Sequence, residues 1–500
     1  MVQGTSSHAG KSVLTAALCR IFAQEGYSVA PFKAQNMSLN SYATPDGGEI
    51  GRSQAVQAAA AMVEPRVEMN PVLLKPEADS RSQVVVLGRP HITLSARSYY
   101  ERKAALWDVV TSSLDTLRRE YDMVVMEGAG SPAEINLRQY DIVNMSIALH
   151  ANAPVLLIAD IERGGVFAQL VGTMALLEPE ERALVKAHVI NKFRGDISLF
   201  EPGRAQLREL TGVPVAGVLP YFFDIHVPEE DTLGLPDAEA GGFGDAALDI
   251  ALIRLPHLAN FDDFDPLRHE LGVRLRFVER QEQLGTPDLI IIPGSKTTMA
   301  DLDWLREQGL ADRIVAARKA GTPAVGICAG YQMLGKELLD PEGVESPRPS
   351  SPGLGLLPVT TTFLGDKATH QVAGRVVDGR GILSGSEGAE LVAYEIHMGV
   401  TTGEASTSPF VIETRSGQDV TLPDGALDEE GLTLGVYLHG LFHNRQLRRA
   451  MLSWLASRKG VSLPESAGEV DQNAEYDKLA AFVREHLDME LVYEAVGLRA

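Results

Sequence analysis

The chain has 500 residues, 45% of them hydrophobic and 22% charged, with a mean hydropathy of −0.02; that length predicts two cores of about 200–250 residues, and no apolar run approaches the ~18 residues of a membrane span. A formal charge of −22 at pH 7 excludes sequence-independent attraction to nucleic acid or anionic lipid, both of which need a basic surface. Two cysteines, Cys19 and Cys328, cannot build a disulfide framework, and the first residues lack the basic stretch and apolar core of a secretory signal, so a cytoplasmic protein is expected.

From residue 1 to 227 short β-rich runs alternate with longer helical ones, which predicts a parallel sheet with crossover helices. Only Met1-Val2-Gln3 precede Gly4, so the first strand is either very short or begins upstream. Gly4-Thr5-Ser6-Ser7-His8-Ala9-Gly10-Lys11-Ser12 then reads as a variant phosphate-binding turn with the first Gly displaced by one position. Its glycines allow close backbone approach, Lys11 can neutralise β/γ-phosphate charge, and Ser12 can ligate Mg²⁺ at the N-terminus of the following helix. Helices are predicted over 11–23, 52–63 and 103–119. Strands are predicted at 27–32, 123–126, 154–159, 187–191 and 213–219, continuous in apolar character because both faces are covered. The strand at 123–126 ends in Glu127-Gly-Ala-Gly, which places a carboxylate where a nucleotide-bound Mg²⁺ needs one. Asn191 ends another strand, where its amide could meet a nucleobase edge.

Residues 228–247 are acidic, Gly/Pro-rich and aperiodic, and read as a linker. A second βα alternation runs over 248–446, with a solvated loop expected at 340–353, and 447–500 reads as a helical extension. Within it, Ala324-Val-Gly-Ile-Cys328-Ala-Gly-Tyr-Gln is an apolar run that turns sharply through small residues into a helix, a geometry that exposes a nucleophilic thiol. A thiolate attacking glutamine's carboxamide needs a base and oxyanion donors. His439, ending the β-rich run 435–438, is the candidate base, with His397 and His443 as competitors. The donors would be the backbone at Ala329 and at Gly294, in the strand-ending turn Pro293-Gly-Ser. A thiol that releases ammonia and a site that activates a carboxylate with ATP are the two halves of an amide synthetase.

These residues together resemble the cobyric acid synthase family of glutamine-dependent amidotransferases. The resemblance is carried by Val2–Ser12, Ala30–Ser41, Gly48–Ala55, Asn70–Pro76, Ile292–Thr298, Gly326–Gly335 and Tyr437–Phe442. It implies an α/β protein with an N-terminal P-loop NTPase-like domain, similar to dethiobiotin synthetase, and a C-terminal class I glutamine amidotransferase domain of flavodoxin-like type. It also implies ATP- and Mg²⁺-dependent amidation of the b, d, e and g carboxylates of a corrinoid, adenosylcobyrinic acid a,c-diamide, with glutamine as nitrogen donor. Lys33 is then the candidate beside the reacting carboxylate, and Asp46, Glu49 and Asp160 are further metal or substrate contacts. Two features depart from related patterns. Thr5-Ser6-Ser7 replace the lysine that partition-type ATPases carry after the first Gly, which argues against that class. Leu441 stands where many class I amidotransferases have the glutamate that completes a triad, leaving a Cys/His pair or an orienting acid from elsewhere, such as Glu395. The alternatives are cobyrinic acid a,c-diamide synthase and, in another class, a nucleotide-switch scaffold with an inactive amidotransferase domain.

Overall fold

The computed structural model describes residues 1–78, 81–95, 106–222, 224–228, 246–403, 408–465 and 471–498. Most of the expected linker, 229–245, and the start of the helix expected over 103–119 lie outside the described residues; that helix is described over Trp107–Glu120.

The first half is built on six parallel strands in the order Val29–Phe32, Met123–Met126, Val2–Gly4, Val155–Asp160, Val185–Phe193 and Val215–Pro220. A bridge from Val2 to Glu127 joins the two parts of this sheet. Helix α1 (Lys11–Gln24) covers one face through Leu14, Leu18, Ile21 and Phe22, all nearly solvent-free. Largely apolar strands flanked by helices on both faces are what the apolar runs in the sequence require.

An excursion between 33 and 95 departs from the predicted alternation. It forms a hairpin from Ser41–Ala43 and Glu49–Gly51, helix α2 (Arg52–Ala60), and a four-stranded sheet of Gln35–Met37, Val72–Ala78, Arg81–Val86 and Arg89–Ser95.

In the second half, five parallel strands run in the order Val273–Val278, Leu248–Ile253, Leu289–Ile292, Ala324–Ile327 and Thr433–Val436, with a short antiparallel strand, Ala426–Leu427, at the edge. Between Ala324–Ile327 and Thr433–Val436 the chain does not continue the βα alternation expected there. It builds a largely antiparallel sheet around the long strand Val359–Val376, paired with Glu390–Gly403. Val359, Thr361 and Phe363 point inward while their neighbours are half-exposed, the period-two pattern of a one-sided sheet. The expected loop at 340–353 contains a three-residue strand, Ser350–Pro352.

The last helices divide between the halves. Arg445–Lys459 buries Leu447, Met451, Leu452 and Leu455 in the second core. Gln472–His486 instead returns to α1, placing Tyr476, Leu479, Ala480 and Val483 in the first core, with Arg20 2.7 Å from Asp477.

The seam between the halves is made by the 33–52 excursion. Ser41 N–H donates to Asn260 Oδ1 at 2.9 Å, the Tyr42 ring lies 5.8 Å from Tyr394, and buried Glu49 pairs with Lys75 at 2.6 Å and with Lys367 of the second half.

Candidate active site

The Gly-rich turn closes on itself before any ligand is considered. Gly10 has φ 101°, and a Cβ there would sit 2.0 Å from Asn191 Nδ2. Lys11 Nζ donates to the Ser6 carbonyl at 2.9 Å and the Gly130 carbonyl at 3.3 Å, across the mouth of a cleft of about 1000 Å³. Glu127, also in this cleft, is 1% exposed and gathers three donors: Ser12 Oγ at 2.9 Å, Lys33 Nζ at 2.9 Å, and the Gln57 amide of α2. A buried carboxylate is retained only when it is this fully paired.

Ser7, Gly10, Lys11, Ser12, Lys33 and Glu127 line this cleft. Gly4 and Thr5 form the base of the turn beneath it; Thr5 N–H donates to Ile158 O at 3.0 Å and its hydroxyl to Gln169. Asn191 does not reach for a base edge: its amide donates to Ala9 O at 2.9 Å and buttresses the turn from below. Asp46 also departs from expectation. It lies in an exposed turn after Ser41–Ala43, where it accepts a hydrogen bond from Thr44, and it is not among the cleft-lining residues. Glu49 belongs to the seam, and Asp160 pairs with Lys192 at 2.9 Å. Ser12 and Glu127 supply hard oxygens of the kind Mg²⁺ accepts. Among the described residues no group of three or more His, Cys, Asp or Glu forms a cage.

In the second half Cys328 ends the strand Ala324–Ile327 with φ 53° and ψ −109°. A non-glycine residue there is strained, and the strain is enforced by packing. A Cβ on Gly326 would meet the Gly330 carbonyl at 2.6 Å, and one on Gly330 would meet Ile292 O at 1.9 Å. The strand and the helix Ala329–Leu334 can approach only because both positions lack side chains, and the thiol is left at the apex of the turn.

His439 is 1% exposed and lines the same pocket as Cys328, whose thiol donates to the Ile396 carbonyl at 3.6 Å. Its Nδ1 lies 2.7 Å from Asp263 Oδ2, while Asp263 Oδ1 accepts from Gly440 N–H at 2.7 Å. Burial alone would lower the imidazole's pKa, but the Asp263 carboxylate and then the Cys328 sulfur overcome it and push it up to about 10. The carboxylate thus favours the charged form of the ring. Tyr394 stacks on it at 5.1 Å and 17°. Gly294 packs against the same ring: a Cβ there would lie 3.1 Å from His439 Cε1. Ala329 follows the thiol at the helix start, so the two backbone segments named as oxyanion donors flank Cys328.

The orienting acid is therefore Asp263, which the sequence reading missed, and not Glu395. Glu395 pairs with Arg415 at 2.9 Å, and His397 stacks on Tyr437 at 3.7 Å. His443 binds the Asp262 carbonyl at 3.0 Å. The available signal was local: Asp262-Asp263 lies between Phe261 and Phe264, an acidic pair flanked on both sides by aromatic residues.

A parallel α/β half with a phosphate-type turn, joined to a second half that buries a Cys–His–Asp arrangement at its strand ends, defines a glutamine amidotransferase that carries a nucleotide-binding domain. Residues 1–233 match the CobQ/CobB/MinD/ParA nucleotide binding domain, and residues 249–447 match the CobB/CobQ-like glutamine amidotransferase domain. Cobyric acid synthase from Sorangium cellulosum is 52% identical over 513 residues, covering 100% of this chain and 98% of the relative. The enzymes of that name from Dehalococcoides mccartyi and Moorella thermoacetica are each 51% identical, over 494 and 503 residues; they cover 99% and 100% of this chain, and 97% of each relative is matched. The chain belongs to the cobyric acid synthase family, and it is an amidotransferase of cobalamin biosynthesis. Among the described residues no helix is long and apolar enough to cross a membrane.

Proposed function

We propose that this enzyme uses ATP to activate, and glutamine to amidate, the b, d, e and g carboxylates of adenosylcobyrinic acid a,c-diamide, yielding cobyric acid in the cytoplasm. The observation that carries this reading is that one segment, 33–52, borders both sites: Lys33 lines the nucleotide cleft, and Ser41 bonds Asn260, whose amide is 3.4 Å from His439 Nε2. Sites bordered by one segment suit transfer of ammonia without release to solvent, where it would be protonated.

In the synthetase half, the turn from Gly4 to Ser12 cradles the phosphates and Lys11 offsets their charge. Ser12 and Glu127 would hold Mg²⁺, which supplies charge neutralisation at the phosphates. A substrate carboxylate oxygen attacks the γ-phosphorus, ADP leaves, and an acyl phosphate forms, with Lys33 offsetting the charge of the reacting carboxylate.

In the amidotransferase half, the Cys328 sulfur attacks glutamine's amide carbon. The oxyanion is held by backbone N–H groups at Ala329 and in the Gly294 turn. His439 passes its proton to the leaving nitrogen, ammonia departs, and water then hydrolyses the thioester to glutamate. Asp263 keeps the imidazole oriented throughout. Ammonia attacks the acyl phosphate carbon, phosphate leaves, and the amide remains.

The sibling a,c-diamide synthase would use the same chemistry on other carboxylates; the full-length relatives favour the cobyric reading. Mass analysis of cobyrinic a,c-diamide after incubation with ATP, Mg²⁺ and glutamine tests it. Four successive carboxyl-to-amide conversions, matching the four carboxylates named above, are expected. No conversion of the a,c-diamide, with turnover of cobyrinic acid instead, would assign the enzyme to the sibling reaction.

A further inference from the structure

The contact between helix α2 and the turn that carries Asp263 is not used by either half-reaction as derived above. Arg52, the first residue of α2, places Nη2 2.9 Å from Asp262 Oδ2; the two side chains are 14% and 2% exposed. The pair is a charge contact and little else. Arg52 Nε and both Asp262 carboxylate oxygens have no hydrogen-bond partner among the described residues. A buried ion pair without supporting hydrogen bonds gains little for stability, because desolvation offsets its attraction, and such pairs are best attested as registry devices.

Two lines of contact run from this arginine to the imidazole. Through the chain, Asp262 is bonded to Asp263, which holds His439 Nδ1. Through the rings, the guanidinium lies 5.3 Å from the Tyr42 centroid, Tyr42 lies 5.8 Å from Tyr394, and Tyr394 stacks on His439. The other side of α2 reaches the nucleotide cleft: Gln57, ~7.5 Å further along the helix axis, donates to Glu127 Oε2 and to the Ser12 carbonyl at 3.4 Å. One short rigid element therefore touches the carboxylate of the ATP cleft at one point and the turn of the triad acid at another.

We propose that Arg52 is a positioning residue for glutamine hydrolysis, acting across the domain seam through Asp262 to seat Asp263 against His439, so that α2 ties the geometry of the triad to the nucleotide cleft. This rests on the reading of Cys328, His439 and Asp263 given above. Arg52 is not among the residues lining the thiol pocket, so its loss should lower kcat for glutamine hydrolysis and leave KM for glutamine within about twofold, as expected when only transition-state geometry suffers.

The test is steady-state hydrolysis of glutamine by the full-length enzyme, with and without ATP and the corrinoid. The variants are Arg52→Ala, Arg52→Lys, Asp262→Ala and the double alanine variant. Couplings of this kind lower rates by about threefold to thirtyfold. The expected pattern is that drop in kcat for each alanine variant, no further drop in the double variant, substantial recovery with Arg52→Lys, and loss of any stimulation by ATP. Additive losses, a KM effect with kcat unchanged, equal loss with lysine, or unaffected hydrolysis would overturn the proposal. Wild-type enzyme that hydrolyses no glutamine would instead sink the underlying reading, so the two failures are distinct. Thermal unfolding of each variant separates misfolding from mispositioning: a variant that keeps its midpoint and its kcat counts against the proposal, whereas Asp262→Asn, which preserves shape, must reproduce the kcat loss.

Discussion

Replacing Asp263 by asparagine keeps the shape of the triad acid and removes its charge, and the structure sets the size of the effect. The His439 ring is 1% exposed and is held at about 10 against an ordinary 6.5, a difference worth ~5 kcal/mol at 1.36 kcal/mol per pKa unit. Asp263 is the larger favourable cause and the Cys328 sulfur the smaller, both acting against burial, so the carboxylate accounts for more than half of that difference, ~3 kcal/mol. An asparagine can still hydrogen-bond Nδ1, which recovers ~1 kcal/mol. Glutamine hydrolysis should therefore fall by ~2 kcal/mol, or about thirtyfold, in kcat. The sign of the pH effect follows from the same numbers. The imidazolium that protonates the leaving nitrogen persists below the raised pKa and is lost as pH climbs through about 10. Without the carboxylate, burial dominates and moves that alkaline limb down toward neutral pH. The assay is glutamate release against pH for both proteins. Unchanged kcat together with an unmoved alkaline limb in the asparagine variant would refute the assignment of Asp263.

Cys328→Ala should abolish glutamine-supported amidation and retain ammonia-supported amidation; loss of both in a folded protein would contradict the division of labour between the halves. Gly330→Ala would drive a Cβ to 1.9 Å from Ile292 O, a backbone clash that exceeds the ~1–3 kcal/mol of ordinary overpacking; thermal denaturation should show a lowered midpoint together with lost hydrolysis. At Gly10 the positive φ and the Asn191 amide leave no room for a methyl group, so Gly10→Ala should weaken ATP binding by calorimetry with glutamine hydrolysis in the other half still measurable. Burial would raise Glu49's pKa, but Lys367 and Lys75 overcome it and hold the carboxylate well below its usual range. Its contribution is complete above the unfolded value of ~4.3 and disappears as pH falls further, so Glu49→Gln should flatten the acid limb of stability against pH; an unaltered slope would remove Glu49 from the seam's energetics.

The two turns that carry the candidate residues were legible because their neighbours are constrained by packing rather than by partners far away in sequence. The turn around Gly10 and the small residues flanking Cys328 announce close backbone approach directly in the chain, and the parallel strands announce themselves by uninterrupted apolar runs. Long-range pairing left weaker traces. Asp263 acts on a histidine 176 residues away, and nothing in local spacing distinguishes it from a surface acid except its aromatic neighbours. The antiparallel sheet around Val359–Val376 was missed because threonine alternation was swamped by turns on either side. Asp46 failed as a metal contact for a related reason: proximity in sequence to Glu49 and the family-like segment at 48–55 says nothing about which face of the hairpin looks into the cleft. Asn191 was placed on the right strand, which runs on to Phe193, but the turn it supports lies between it and the cleft.

The most direct test of the account follows the nitrogen itself. The complete enzyme is supplied with ATP, Mg²⁺, the corrinoid a,c-diamide and glutamine labelled with heavy nitrogen at the amide, in a large excess of unlabelled ammonium held at a pH where free ammonia is scarce. If ammonia made at Cys328 is passed within the protein to the acyl phosphate beside Lys33, the new amides carry the heavy isotope almost undiluted. Amides whose isotope content matches the bulk ammonium would contradict the account.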